Sequence, residues 1–416
     1  MKRLLKVTGM TGILTLLRML VGFVIAKVVA IYTGPTGMAM LGQIQGMVSV
    51  LNGLVSSPAG SGVVRYTAEN KGSSLEVCAV WWRAAIQWII ILSSIVVPVG
   101  LLLSENIANW LFQDPSYSWL VKATVCVLPL SALGVLCNSI INGQEQYRRY
   151  VTLGILSVIV SGTIMLIMIT QYHIKGALLA SAVQSSIIGL VMLIANIRQP
   201  WMKVKFWIGN TDNKARQDIA RYMLMALTSA LTLPISLIVI RGFLVDQVGW
   251  DVAGLWQAVW KISEVYLGVI TLALSTYYLP RLASLSGVDS IVYEIHKTAK
   301  MVLPIVVFLA ISVYVARDVI IYILFTEEFI KARELFSIQL TGDVVKIASW
   351  LYAYPMLSRG AAKWFISTEI VFSLFLVSLS YAFISYFGII GAPMAYLTNY
   401  IIYFLFVFVN VRRFSK

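Results

Sequence analysis

The chain has 416 residues, of which 59% are hydrophobic and 12% charged, and it carries a net charge of +14. Soluble domains hold about 25% charged residues, so an ordinary globular domain is excluded. The apolar residues fall in roughly a dozen long continuous blocks, which excludes a β-barrel, since barrel strands are short and alternate. The basic surplus follows the positive-inside rule of membrane proteins, so nucleic acid is not the expected partner.

The first block, residues 7–33, is long enough to cross a bilayer, which takes about 20 apolar residues. It follows MKRLLK and reads as an uncleaved first span, because it is too long for a signal-peptide core and Arg18 interrupts it. Arg18 lies near its middle and Lys27 near its far end. A charge at mid-bilayer costs roughly 2.5–3.5 kcal/mol on insertion scales, so these cations should face a bundle interior or a watery cavity. Nine residues at about 100° each place the two on opposite faces of an ideal helix. Either the helix bends, as Gly22 would allow, or only one of them faces the cavity.

Twelve spans are expected: 8–32, 38–62, 78–103, 118–142, 151–171, 175–196, 219–245, 251–279, 299–323, 334–358, 362–386 and 389–411. Pro58, Pro98, Pro129, Pro234, Pro304, Pro355 and Pro393 fall inside them and read as tolerated kinks. Of the 32 basic residues, 22 lie on the side of the N-terminus and 6 on the other, with four inside the spans. Both termini are therefore expected in the cytoplasm. Cys78, Cys126 and Cys137 sit in apolar blocks, with no disulfide or metal spacing. The loops opposite the termini are too short for a separate domain.

The chain repeats itself at an offset of about 215 residues. KGALLASAVQSSIIGLVMLIANIR (175–198) aligns with IGAPMAYLTNYIIYFLFVFVNVRR (390–413), and NWLFQD (109–114) with YILFTE (322–327). Six spans per repeat make a parallel repeat, and transporters built this way bind cargo between their halves. The expected domains are an N-lobe (1–198), a linker (199–218) and a C-lobe (219–416). The linker reads as a basic, aromatic surface helix.

Ionisable residues inside the spans carry the chemistry. The second half holds Lys261, Glu264, Asp343, Lys346 and Glu369, and Arg241 closes the seventh span at the place of Lys27 under the repeat. Lys261/Glu264 and Asp343/Lys346 are each i,i+3, so either could form an internal ion pair. Glu264, Asp343 and Glu369 are the candidates for coupling to an ion. A cationic site suits an anionic cargo, with Arg18, Lys27, Arg241 and Lys261 as the substrate-binding candidates. Arg18 has no counterpart under the repeat and is the strongest of them. Lys27 and Arg241 would sit nearer the periplasmic mouth. The aromatic density of Trp256, Trp260, Tyr266, Tyr277 and Tyr278 would suit sugar rings or prenyl chains, or simply helix seams. There is no Walker A motif, metal cluster or nucleophile–base signature, so no cofactor or catalytic site is expected.

MALTSALTLPISLIVIR (225–241), GLWQAVWKISEVYL (254–267), LFSIQLTGDVVKIASW (335–350) and the first helix with its two cations resemble the Wzx flippases, most of all the WzxE type. These belong to the multidrug/oligosaccharidyl-lipid/polysaccharide exporter superfamily. The resemblance implies an all-α membrane protein with two six-helix lobes in a V around a central cavity. It implies movement of an undecaprenyl-pyrophosphate-linked oligosaccharide to the periplasmic leaflet of the bacterial inner membrane. The implied protein is a monomer in the lipid bilayer, with an O-antigen polymerase and a chain-length regulator as partners. Lys261 departs from the WzxE type, where a small polar residue is expected, and favours an O-antigen unit over the enterobacterial common antigen repeat. A multidrug-type exporter should line its cavity with carboxylates, whereas cations here outnumber acids four to three inside the spans. A membrane polymerase or ligase would want a long periplasmic loop.

Overall fold

The computed structural model describes residues 2–415, without the side chains of residues 2–8, 225 and 276. Lys2, Arg3, Lys6 and Lys416, which enter the charge bias, therefore lie outside the described side chains. In chain order the helices are α1 (Lys2–Ser56), α2 (Ser61–Glu69), α3 (Leu75–Leu102), α4 (Ser104–Phe112), α5 (Ser118–Gly143), α6 (Tyr147–Asn196) and α7 (Asn213–Val248). They continue as α8 (Trp250–Ala273), α9 (Leu279–Ser284), α10 (Val288–Val315), α11 (Arg317–Leu324), α12 (Phe336–Ser358), α13 (Ala362–Phe387) and α14 (Gly391–Phe414). Among the described residues there is no strand. Among the described residues, seven stretches are long and apolar enough to cross a membrane, and three of them, Gly9–Glu69, Tyr147–Asn196 and Ala362–Phe414, are two spans long. Leu102, Val315, Tyr322 and Val409 leave three quarters or more of their surface uncovered. Exposed apolar faces on helices of this length make this a polytopic membrane protein.

The chain forms two compact units, Met1–Tyr32 with Leu41–Ile235, and Thr33–Met40 with Ser236–Lys416. The first unit has its core around Trp82, Leu128, Leu136 and Ile140, all essentially unexposed. Trp82 meets its single donor requirement by donating from Nε1 to Thr67 Oγ1 at 2.9 Å. Helices α5 and α6 cross at backbone contact: a Cβ on Gly134 would lie 2.3 Å from the Gly189 Cα. This is the close approach that small residues permit in membrane bundles. The second unit has its core around Tyr278, Ile291, Ile347, Leu351 and Val407. There the Tyr278 hydroxyl donates to the Leu351 carbonyl at 2.9 Å.

The repeat is written in the backbone as well as in the sequence. Positive φ angles recur at Gly34 and Gly249, at Glu145 and Gly360, and at His173 and Gly388, each pair 215 residues apart. His173 (φ 48, ψ −128) and Gly388 (φ 59, ψ −137) share nearly one conformation. Each precedes a glycine that lets the next helix start against the last. A Cβ on Gly176 would lie 1.9 Å from the Met168 carbonyl oxygen, and one on Gly391 2.2 Å from that of Phe383. The short helices α4 and α11 contain the aligned NWLF and YIL segments and hold corresponding places in the two repeats.

Two expectations are corrected. Pro58 is not a kink within a helix: α1 stops at Ser56, and Pro58 sits in a 3-10 turn, Ser57–Ala59. Its missing N–H suits that turn. Prolines 98, 129, 234, 304 and 355 do stay inside their helices. The segment expected as a surface helix is two 3-10 turns, Pro200–Met202 and Val204–Phe206. Trp201 and Phe206 turn into the core instead of lying along a surface. Arg83 holds the segment down by donating to the carbonyls of Lys205 and Asn210.

Gly34 (φ 61, ψ −164) breaks α1 just before Pro35, in a region of the backbone that is essentially glycine-only. Gly34→Ala should therefore cost about 1–3 kcal/mol, read as a lower unfolding temperature in detergent. Gly72→Ala, at an exposed site with open space around it, should stay within about 0.5 kcal/mol of the parent.

Candidate functional site

In the first unit, the two limbs of α1 together with α5 and α6 line an open cavity of about 380 Å³. Arg18 comes from the first limb of α1, and Asn52, Gly53 and Ser56 from the second. Helix α5 adds Ser131, Gly134 and Asn138; α6 adds Tyr150, Gly154, Ser157, Ser185 and Gly189. The lining glycines stand where a side chain would strike a neighbouring helix. A Cβ on Gly154 would lie 2.6 Å from the Leu14 side chain, and one on Gly53 2.6 Å from that of Ala230.

Arg18 is the one charged residue on the wall. Among the described residues its guanidinium has no hydrogen bond, ion pair or ring contact. Ser131 Oγ donates to Asn52 Oδ1 at 2.7 Å, which fixes that amide. The hydroxyls of Ser56 and Ser157 are buried and have no partner in the protein. A buried polar group left unmatched costs about 1–3 kcal/mol. Lys27, further along α1, is half-buried and does not line the cavity.

The second unit treats its charges differently. Asp343, on α12, is fully buried and accepts from the Tyr266 hydroxyl at 2.7 Å, the Tyr396 hydroxyl at 2.8 Å and the Gln339 amide at 3.4 Å. Lys346, one turn on, does not pair with it directly as the i,i+3 spacing suggested. The carboxylate is already occupied by the tyrosines. The ammonium lies instead among four rings, 5.0 Å from the centre of Trp350, 5.5 Å from Tyr396 and Tyr400, and 5.7 Å from Trp260. Such cation–π contacts are worth roughly 2 kcal/mol or more when desolvated. Asp343, Glu264 and Glu369 add their negative fields at the ammonium. Lys261 Nζ lies 2.9 Å from Glu264 Oε2 on the more open side of α8. Arg241 is buried, donates twice to Gln257 Oε1 at 2.7 and 3.1 Å, and lies over the Trp256 ring.

Of the sequence candidates, Arg18 faces a cavity, while Asp343 and Lys346 share a closed cluster with Glu369 at its margin. Arg241 is tied within its own unit by Gln257. Sequence reasoning passed over Asn52, Ser56, Asn138 and Ser157, which line the cavity, and Tyr396 and Tyr400, which close the cage. The available signal was amide and hydroxyl side chains recurring in otherwise apolar spans, which reads equally as helix packing.

No protein-family model matches the chain. Two curated proteins are similar over nearly all of it: the lipid III flippases of Escherichia coli K12 and of Shigella flexneri. Each is 29% identical over 405 residues, 96% of this chain and 96% of the relative. Among solved structures, the inward-facing conformation of a multidrug resistance MATE family transporter of the MOP superfamily superposes with a TM-score of 0.74. It is 14% identical and covers 96% of this chain and 95% of that one. The fold is that of this transporter class.

The buried cluster makes a double-mutant test. Removing one member of a buried charged pair costs about 3–5 kcal/mol, and replacing both by apolar groups is far milder. Asp343→Ala should lower the unfolding temperature in detergent sharply, and adding Lys346→Met should restore only part of the loss, because the Tyr266 and Tyr396 hydroxyls stay without their acceptor.

Proposed function

We propose that the chain is a flippase that carries a lipid-linked oligosaccharide across the bacterial inner membrane by alternating access, with both termini in the cytoplasm. The cargo we propose is an undecaprenyl-pyrophosphate-linked O-antigen repeat unit, moved from the cytoplasmic to the periplasmic leaflet. The observation that carries this reading is the unpartnered Arg18 guanidinium on the wall of a polar cavity. A cation free of protein partners in a spanning helix is stable where an anion or water meets it, and guanidinium suits phosphate or carboxylate. The flippases similar to this chain along its length support the transport class. In this reading Lys27, Arg241 and Lys261 contribute further positive field, and Glu264, Asp343, Lys346 and Glu369 form an ion cluster available for coupling.

A multidrug-type exporter is the second reading, because the fold accommodates it. Against it, the cavity wall carries a guanidinium and no carboxylate, the opposite of what a cationic drug requires. The cargo of the similar lipid III flippases is the other alternative.

The test is genetic. The gene should restore surface O-antigen in a strain lacking its own O-antigen flippase, and should not restore function in a strain lacking a lipid III flippase. Arg18→Ala should abolish the surface polymer, by at least tenfold, while the protein still reaches the membrane; Arg18→Lys should retain part of it. Normal polymer with Arg18→Ala would remove Arg18 from the mechanism.

A further inference from the structure

We infer that the second unit holds a single glycerophospholipid between α10 and α12, with one acyl chain in the groove there and the phosphodiester on Arg317. The inference rests on the membrane character of the chain and is independent of its cargo.

The groove comes first. Val307 and Ile311 of α10 and Leu340, Val344 and Val345 of α12 line an open space of about 410 Å³. Beside it Phe308, Ile311 and Val315 leave more than half of their surface uncovered, so the groove opens on an apolar face that meets the bilayer. From Val307 to Tyr314 it runs roughly 10 Å along the helix, within the hydrocarbon of one leaflet, about 15 Å deep. That shape takes a chain lying along the helices.

One end of the groove is polar. Helices α10 and α12 are joined only by the short α11 and the 3-10 segment Glu327–Leu335, so Tyr314 and Ser337, which both line the groove, share that end. Tyrosine is typical of the headgroup level. The Arg317 guanidinium lies 4.1 Å from the centre of the Tyr314 ring, and its Nη1 donates to the Tyr314 carbonyl at 3.1 Å. Ring and carbonyl thus hold the cation at the mouth of the groove. Its Nη2 is not buried and donates to nothing among the described residues. Asp318, the next residue, does not neutralise it: that carboxylate lies 3.9 Å from Arg333 Nε. A guanidinium with a free edge suits a phosphate oxygen.

The other copy of the repeat shows why the groove exists. Helices α3 and α10 are each 28 residues long and correspond end to end. Gly100 therefore matches Val313, Leu101 matches Tyr314 and Ser104 matches Arg317. The register that pairs Glu145 with Gly360 pairs Val125 with Leu340. In the first copy a Cβ on Gly100 would lie 2.6 Å from the Val125 side chain, a seam closed by glycine. In the second copy valine stands in the place of that glycine, and the seam is open. At its mouth the first copy has an apolar residue and a small one, and Ser104 Oγ donates to the Leu101 carbonyl at 2.8 Å. The second copy makes the same link with an arginine and a tyrosine. Open seam and cationic mouth thus occur together, in the same copy.

The occupant follows from charge and supply. A phosphodiester brings one negative charge to one guanidinium, whereas a prenyl pyrophosphate brings two. A groove that opens on the bilayer also meets the bulk phospholipid before any scarcer lipid, and occupancy follows concentration.

The test is native mass spectrometry of the purified full-length protein in detergent. The added lipids are dioleoyl-phosphatidylglycerol, dioleoyl-phosphatidylethanolamine, dioleoylglycerol and undecaprenyl phosphate. The first equivalent of either phospholipid should bind at least tenfold more tightly than later ones, and at least tenfold more tightly than dioleoylglycerol, which lacks the phosphate. Arg317→Gln should remove the advantage of the first equivalent, and Arg317→Lys should keep part of it. Thr341→Phe, at an exposed position on the lining, fills the groove and should abolish the tight equivalent with Arg317 intact. An unchanged unfolding temperature of the lipid-free variants checks that they fold. Phospholipid binding without a tight first equivalent, as for lipid that merely coats the protein, would overturn the inference. So would a tight equivalent that survives both Arg317→Gln and Thr341→Phe, or undecaprenyl phosphate displacing the phospholipid at equal concentration.

Discussion

Placing a guanidinium or an ammonium in the hydrocarbon of a bilayer costs at least roughly 2.5–3.5 kcal/mol, more if nothing relaxes around it. The two units meet that cost in different ways. The first surrounds Arg18 with hydroxyls, amides and open volume. The second surrounds Lys346 with four aromatic rings and places Asp343, held by two tyrosine hydroxyls, one turn away. The glycine contacts, helix bends and buried hydroxyls described above are what make room for these two solutions.

The difference has a chemical consequence. A cluster whose positive charge is met by its own carboxylates and rings has little left over for a ligand. A guanidinium that the protein leaves unmatched has nearly all of its binding capacity available. In the proposed function the capacity to bind an anion is concentrated at Arg18, while the charges of the second unit stabilise one another. The cage also keeps its ammonium tethered, so any exchange of ions there must work against a charge that cannot leave.

Much of the architecture could be read from the sequence because membrane helices obey one dominant rule, a run of about 20 apolar residues. The spans, the repeat offset and the inventory of intramembrane charges all follow from it. What could not be read depended on local competition. Pro58 looks like Pro98 in sequence, each with a glycine two residues on, yet only Pro58 lies in a 3-10 turn beyond a helix end. Asp343 and Lys346 have the spacing of an ion pair; Tyr266 and Tyr396, from other helices, reach the carboxylate first. Trp201 and Phe206 fit a surface helix until a core is present to receive them. The candidate pocket was half legible. Arg18 stood out as a cost, whereas Asn138, Ser56 and Ser157 are ordinary residues whose meaning lies in what surrounds them.

The recurring backbone angles hold a record of descent. A chain that arose by doubling one six-helix segment would begin with identical residues at both copies of every bend. At the three shared positive-φ positions the second copy has glycine, at 249, 360 and 388; the first has Gly34, Glu145 and His173, while Gln113 and Gly287 have no positive-φ counterpart. A left-handed conformation costs a non-glycine residue roughly 1–2 kcal/mol. The geometry at the bends before and within α6 thus matches its counterpart without the residue that makes it inexpensive. Shape, rather than residue identity, is what the two halves have inherited in common.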